Sequence, residues 1–311
     1  MHVSENILEI SNLNVDLKIK KRDYPVLENI SFKLKEGGSL GIVGESGSGK
    51  SITAQTILNM LPADSTVSGD VMFNGDNLVQ YSERDMRKIR TREISMIFQE
   101  PGLILNPLMS VGKQVHEALR FERGLSDADK KRRVFEMFEE VGLNENVYKK
   151  YPHELSGGMK QRVIIAIALI CNPSIVIADE PTTALDASIQ SQILDLLKNV
   201  VANHDGSLIL ISHDLSIIRH MCEDVIVMYA GRIVESGPTN HVLTTPDHPY
   251  TRALIEAVPS FAKRGQKLDV IPFSVPSLTE RAGMNWPYLT DKDLTEQYFP
   301  GETLKAGEHD A

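Results

Sequence analysis

The stretch Gly44-Glu45-Ser46-Gly47-Ser48-Gly49-Lys50-Ser51 fits the pattern G-x-x-x-x-G-K-[ST]. It lies between an apolar run, Ser39-Leu40-Gly41-Ile42-Val43, and a helix-like segment. That setting suits a phosphate group. Glycines at 44, 47 and 49 let the chain curl its N–H groups into a concave nest, and the start of a helix adds favourable potential for an anion. Lys50 supplies positive charge for the β- and γ-phosphates, and the Ser51 hydroxyl is a ligand for Mg2+. With Ile52 in the first helical turn, Gly44 to Ile52 form the candidate nucleotide site. The bland reading is an accidental glycine turn, and the strand-loop-helix context speaks against it.

A second constellation is Ile175-Val176-Ile177-Ala178-Asp179-Glu180, an apolar run closed by two carboxylates. Carboxylates at the C-terminal end of a strand in a parallel sheet face the ligand crevice. Asp179 suits Mg2+ through its water shell, and Glu180 is placed to polarise a water for in-line attack on the γ-phosphate. The competing reading is a pair of surface acids ending a strand. No Asn-Lys-x-Asp string for reading guanine occurs in the sequence, which disfavours a GTPase.

The elements that must carry these residues are legible from periodicity. Residues 7 to 35 alternate apolar and polar positions and read as short antiparallel strands. A helix from Lys50 to Leu61 is stopped by Pro62, and Asn74-Gly75-Asp76 marks a hairpin within 66 to 80. Residues 82 to 93 predict a charged helix and 94 to 98 a buried strand, after which 101 to 152 is helical with a polar exterior. The cations at 130 to 133 within it read as a solvated helix face. From 174 to 228 strands alternate with helices, so the fold class is α/β with a mostly parallel sheet. Beyond about Val242 repeated prolines break the chain into short elements.

Composition narrows the function classes. Across 311 residues, 33 Lys and Arg against 42 Asp and Glu give a net charge of −9, which repels polyanions and argues against nucleic acid as a partner. Cys171 and Cys222 are too few for a disulfide framework or a four-thiolate metal site, and fit a reducing, cytoplasmic setting. The N-terminal residues resemble no targeting segment. The longest apolar run, Val163 to Cys171, is about half of the ~20 residues that a spanning helix needs.

Between the two constellations lies Leu155-Ser156-Gly157-Gly158-Met159-Lys160-Gln161-Arg162, which resembles the signature of the ABC (ATP-binding cassette) ATPases. Alone, Ser-Gly-Gly is a helix cap. In order and spacing, Gln99 matches that family's Q-loop, Ala184-Leu185-Asp186 its D-loop, and His213, 33 positions beyond Glu180, its switch histidine. The resemblance spans about residues 7 to 240. It implies a P-loop NTPase, RecA-like core with an N-terminal antiparallel β subdomain and a helical signature subdomain at about 101 to 165. Residues 1 to 240 would be the cassette and 241 to 311 a C-terminal extension.

The resemblance also implies ATP and Mg2+ as cofactors, Lys50, Glu180 and His213 as catalytic residues, and Ser51, Gln99 and Asp179 near Mg2+. Two cassettes would pack head to tail, so that Ser156, Gly157 and Gly158 contact an ATP held mainly by the partner. The family stacks adenine on an aromatic residue before the phosphate loop. Here the candidates are Leu17, by alignment, and Tyr24, the nearest aromatic.

Further strings, including Tyr151-Pro152-His153-Glu154, residues 179 to 186, residues 228 to 235 and His248-Pro249-Tyr250-Thr251-Arg252, look like the dipeptide/oligopeptide/nickel importer ATPases of the D type. Implied partners are a second, F-type cassette in a heterodimer, two membrane permease subunits and an extracytoplasmic solute-binding protein. Pro101 to Val115 would receive the permease coupling helix, with the chain peripheral on the cytoplasmic side of the inner membrane. Many D-type members carry cysteines in the C-terminal extension, some holding an iron–sulfur cluster. No cysteine follows Val275-Pro276-Ser277-Leu278 here, so no cluster is expected. A non-transport cassette is the other class. Its usual coiled-coil insertions, zinc motifs or second cassette are absent from this sequence.

Overall fold

The computed structural model describes residues 5–99, 104–122, 124–183 and 185–257, together with position 278. In chain order the strands are β1 (Asn6–Ile19), β2 (Arg22–Lys35), β3 (Ser39–Val43), β4 (Thr66–Phe73), β5 (Asp76–Asn77), β6 (Ile94–Ile97), β7 (Ile175–Asp179), β8 (Ser207–Ile211), β9 (Asp224–Tyr229) and β10 (Arg232–Pro238). The helices are α1 (Lys50–Ile57), α2 (Glu83–Arg92), α3 (Val111–Ala118), α4 (Asp127–Glu140), α5 (Gly157–Leu169), α6 (Ala187–Asn203), α7 (Leu215–Met221), α8 (Thr239–Val242) and α9 (Pro249–Ala257). The chain divides into two compact units. One comprises the described residues of Met1–Asn6, Leu34–Ser39 and Gln80–Ile211, the other those of Ile7–Lys33, Leu40–Val79 and Ser212–Ala311.

In the unit that holds 80–211, β6, β7 and β8 run parallel. Ile94 is in register with Ile175 and Ile97 with Ala178, while Asp179 pairs with Ile211. Every residue of β7 and β8 is buried, as strands covered on both faces must be, and so their sequences are apolar runs without alternation. Helix starts are set by local hydrogen bonds: Ser82 and Ser126 accept the N–H groups of Asp85 and Asp129 at 3.3 and 3.2 Å. The core of the helical segment is built by Val134, Met137 and Phe138 of α4 and by Val163, Ile164 and Ile165 of α5.

In the other unit, β1 pairs antiparallel with β4, and β4 with β5, within a sheet ordered β2-β1-β4-β5. The predicted hairpin is a two-residue turn with Asn74 at φ 49 and Gly75 at φ 88, which matches the strand twist. Strand β3 runs parallel to β9, Val43 beside Val227, and β9 returns antiparallel through β10.

Two expectations about elements change. Helix α1 ends at Ile57 and not at Leu61, because Asn59 takes a positive φ of 49 and breaks the α path before Pro62 is reached. Past Val242 the chain still forms a nine-residue helix, α9, led by Pro249 at its first position, where the missing N–H costs nothing. Residues 258–277 and 279–311, with Val275 to Ser277 and the expected cysteine-free tail among them, lie outside the described residues. Among the described residues no helix is long and apolar enough to cross a membrane.

Candidate functional site

Strand β3 delivers the chain into the loop Gly44–Gly49, and α1 leaves it. Gly44 has φ +150, and a Cβ there would fall 2.2 Å from the Met228 carbonyl oxygen and 2.7 Å from Ser48 Oγ, so the loop can pass β9 only as glycine. Lys50 folds back over the loop and donates from Nζ to the carbonyl oxygens of Gly44 and Glu45, both at 2.8 Å. Its side chain is buried at 7% exposure. Further bonds hold the loop: Ser48 N–H to Glu45 O at 3.2 Å, and Gly231 N–H to Ser48 O at 2.9 Å.

Gly49 caps α1 at φ 106 without a side-chain acceptor, so the first turn of α1 offers amides that its own helix does not use. Ser48 Oγ is buried with no hydrogen-bond partner. Burial pushes the Glu45 carboxyl up from its ordinary range, while Lys50 pulls it down. A cradle of amides with a buried cation and an orphaned hydroxyl fits an anionic phosphate chain.

The two units divide the remaining residues singled out from sequence. With the loop belong His213 and Tyr24. His213 is exposed on the turn after β8, where Ser212 Oγ accepts the Asp214 N–H at 3.0 Å and Asp214 Oδ1 caps α7 through Ser216 N–H at 2.8 Å. Tyr24 sits in β2 with its side chain buried at 9% exposure, and Leu17 in β1 is half-buried.

With the acidic strand belong Gln99, the signature and Asp186. Asp179 is buried as the last residue of β7. Glu180 follows at φ 46, a left-handed conformation that costs a non-glycine residue about 1–3 kcal/mol and clusters at active sites. Its N–H donates to Ile211 O at 3.0 Å. Its carboxylate accepts from Thr183 Oγ1 at 2.8 Å and from Gln99 Nε2 at 3.2 Å on the same oxygen, Oε2. Gln99 and Glu180 are therefore neighbours.

Ser156 caps α5, accepting the Met159 N–H at 3.3 Å, with Gly157 exposed. Gly158 is buried, and a Cβ there would come within 2.9 Å of Ile189 Cγ2 on α6. The family resemblance implies phosphate contact for both glycines, and for Gly158 the structure adds a packing reason. Gln161, one turn further, is fully buried with neither amide atom hydrogen-bonded. Asp186 opens α6, its carbonyl accepting from Ile189 and Gln190 at 2.9 Å. Ala184 lies outside the described residues.

Residues 27–183 match the family described as ABC transporter. The chain belongs to that family. Residues 234–283 match a second family, the oligopeptide/dipeptide transporter C-terminal region. The cassette is 43% identical over 278 residues to the oligopeptide transport ATP-binding protein OppD of Bacillus subtilis (strain 168), covering 88% of this chain and 78% of that one. To the dipeptide transport ATP-binding protein DppD of the same organism it is 39% identical over 312 residues, covering 98% and 93%.

Among solved structures it resembles an ATP-binding cassette held as a dimer in a post-hydrolysis state with ADP and Pi. The TM-score is 0.67 at 30% identity, over 75% of this chain and 98% of that one. It also resembles CbiO1 from Clostridium perfringens, part of the ABC transporter complex CbiONQ, at TM-score 0.69 and 29% identity, over 78% and 92%. The cassette is an ATP-hydrolysing subunit of an ABC transporter.

Three residues escaped the sequence reading of the site. Thr183 stands three positions after the candidate base, and a hydroxyl at that spacing is a signal for a holding bond. Tyr250 stands in the sequence only as part of a subfamily string. Its hydroxyl accepts the Glu45 N–H at 3.1 Å across 205 residues of sequence, and no local pattern could show that. Glu235, which holds the chain before Tyr250, was equally out of reach.

Proposed function

We propose that this cassette powers import of peptides, di- or oligopeptides, through a membrane complex. The observation that carries the reading is the match of 234–283 to the oligopeptide/dipeptide transporter C-terminal region, supported by relatives named for oligopeptide and dipeptide transport. Residues 1 to 240 act as the cassette, with 101 to 165 as its helical signature subdomain. Residues 241 to 311 are the extension.

ATP binds with its phosphates on the amides from Gly44 to Ile52. Lys50 exchanges its two carbonyl bonds for the β- and γ-phosphate oxygens, and the adenine lies near β1 and β2, where Leu17 and Tyr24 are found. Ser51, Gln99 and Asp179 offer the oxygen donors that a hard cation takes, so they would hold Mg2+. When bound, that ion neutralises charge on the phosphate oxygens.

Glu180 orients a water and accepts its proton as the water oxygen bonds to the γ-phosphorus and the bridging oxygen leaves with ADP. The bonds from Thr183 and Gln99 fix the carboxylate before substrate arrives, which lowers the cost of orientation. His213 contacts the γ-phosphate. Ser156, Gly157 and Gly158 serve an ATP held by the second cassette, the F-type partner, and Asp186 lines the contact between the two.

Two permease subunits hold the cassette to the cytoplasmic face of the inner membrane, and a solute-binding protein delivers the peptide from the other side. Substitution of Glu180 by Gln tests the mechanism. In the assembled transporter it is expected to cut ATP turnover at least 100-fold, the lower end of the ~100- to 10,000-fold that a general base contributes, while ATP stays bound. Near wild-type hydrolysis would refute the assignment.

A further inference from the structure

The segment that marks the subfamily reaches the phosphate loop directly. Tyr250, in α9, is completely buried, and its ring lies against Tyr229 with centroids 4.6 Å apart at 51°. Tyr229 ends β9 and begins the tight turn whose Gly231 N–H bonds to Ser48 O. The Tyr250 hydroxyl accepts the N–H of Glu45 at 3.1 Å. Behind it, the Tyr250 N–H donates to His248 Nδ1 at 3.1 Å, and the buried Glu235 carboxylate accepts the N–H groups of Asp247 and His248 at 2.9 and 3.2 Å. Burial also pushes the Tyr250 phenol well above its usual value, so it remains neutral at any working pH.

The geometry turns on one peptide unit. The amide plane between Gly44 and Glu45 carries the Gly44 carbonyl, which accepts from Lys50 Nζ, and the Glu45 N–H, which donates to Tyr250. In a planar trans peptide these two groups point in opposite directions. Holding the N–H on one side therefore fixes the carbonyl on the other, and with it the seat from which the Lys50 ammonium swings to the phosphates. Gly44 lacks the side chain that would otherwise restrict rotation of this plane, so an external hold is needed.

We propose that Tyr250 is a positioning residue for ATP binding, acting through the Gly44–Glu45 peptide on Lys50. His248 and Glu235 fix its place, so that the C-terminal segment sets the affinity of the phosphate loop. The proposal rests on the assignment of Lys50 to the ATP phosphates.

The test is ATP affinity of the full purified chain in a double-mutant cycle of Tyr250→Phe and Lys50→Ala, with melting midpoints measured alongside. Phenylalanine keeps the ring against Tyr229 and removes the hydroxyl that accepts from Glu45. Loss of one buried hydrogen bond predicts a rise in Kd for ATP of about tenfold. The same substitution made in the Lys50→Ala background should change Kd less than twofold, because the residue it positions is gone.

A merely structural role would lower affinity equally in both backgrounds, and that result would overturn the proposal. So would a Tyr250→Phe Kd within twofold of wild type. If Lys50→Ala itself leaves ATP affinity intact, the assignment of Lys50 fails instead, and the two failures are distinct. Should Tyr250→Phe not fold, His248→Ala, which releases the Tyr250 amide, must weaken ATP binding about threefold. An unchanged Kd for that variant would equally overturn the proposal.

Discussion

The phosphate loop and the signature turn are both helix starts made of serine and glycine, yet they are held differently, the loop by backbone bonds and Lys50 and the signature by a serine cap. At the loop, the Lys50 ammonium, the Glu45 amide and the Ser48 carbonyl are all engaged by the cassette itself. At the signature, Ser156 caps its own helix at a long 3.3 Å, Gly157 is exposed, and Gln161 is buried without hydrogen-bond partners. A preorganised nest binds an anion with little reorganisation. A buried amide without hydrogen-bond partners costs stability. In the proposed arrangement the loop is the half that binds ATP and the signature is the half offered to a second cassette.

Substitutions should separate the two halves. The largest effect is expected for Lys50→Ala, which removes two charge-assisted bonds from the seat and the phosphate contact. ATP affinity of the isolated chain should fall on the order of 100-fold by equilibrium titration, from about 1.5–3 kcal/mol per bond to a charged group. Signature substitutions should leave that affinity alone. Gly158→Val drives a side chain into Ile189, and overpacking of this kind costs about 1–3 kcal/mol, read as a lower melting midpoint.

Gln161→Met runs the other way. A similar volume without the orphaned amide should raise stability by about 1 kcal/mol, and a clear loss would mean that the amide has partners in solution. The smallest effect is Ser156→Ala, at about 1 kcal/mol or less for the lost cap, with ATP binding to the isolated chain unchanged.

What was legible in the sequence is what is short in range. The loop from Gly44 to Ser51, the carboxylates at 179 and 180 and the cap at 156 are each contiguous, and the strands that present them are runs of buried aliphatic residues. The parallel strands and the Asn74-Gly75 hairpin follow from the same local rules.

The missed features depend on chain geometry. The end of α1 rests on the left-handed Asn59, which competes with the more conspicuous Pro62. The strain at Glu180 is a backbone angle that residue type does not disclose, since glutamate gives no hint of φ 46. The packing duty of Gly158 appears only once α6 lies beside it.

On the proposed function, this chain holds ATP alone but hydrolyses it fast only when a second cassette supplies its signature. The direct measurement is ATP hydrolysed per mole of chain as the concentration of a second cassette is raised from zero. The expected result is a low rate for the lone chain that climbs and saturates as the second cassette is added. A full rate from the monomeric chain, unchanged by dilution or by the added cassette, would contradict it.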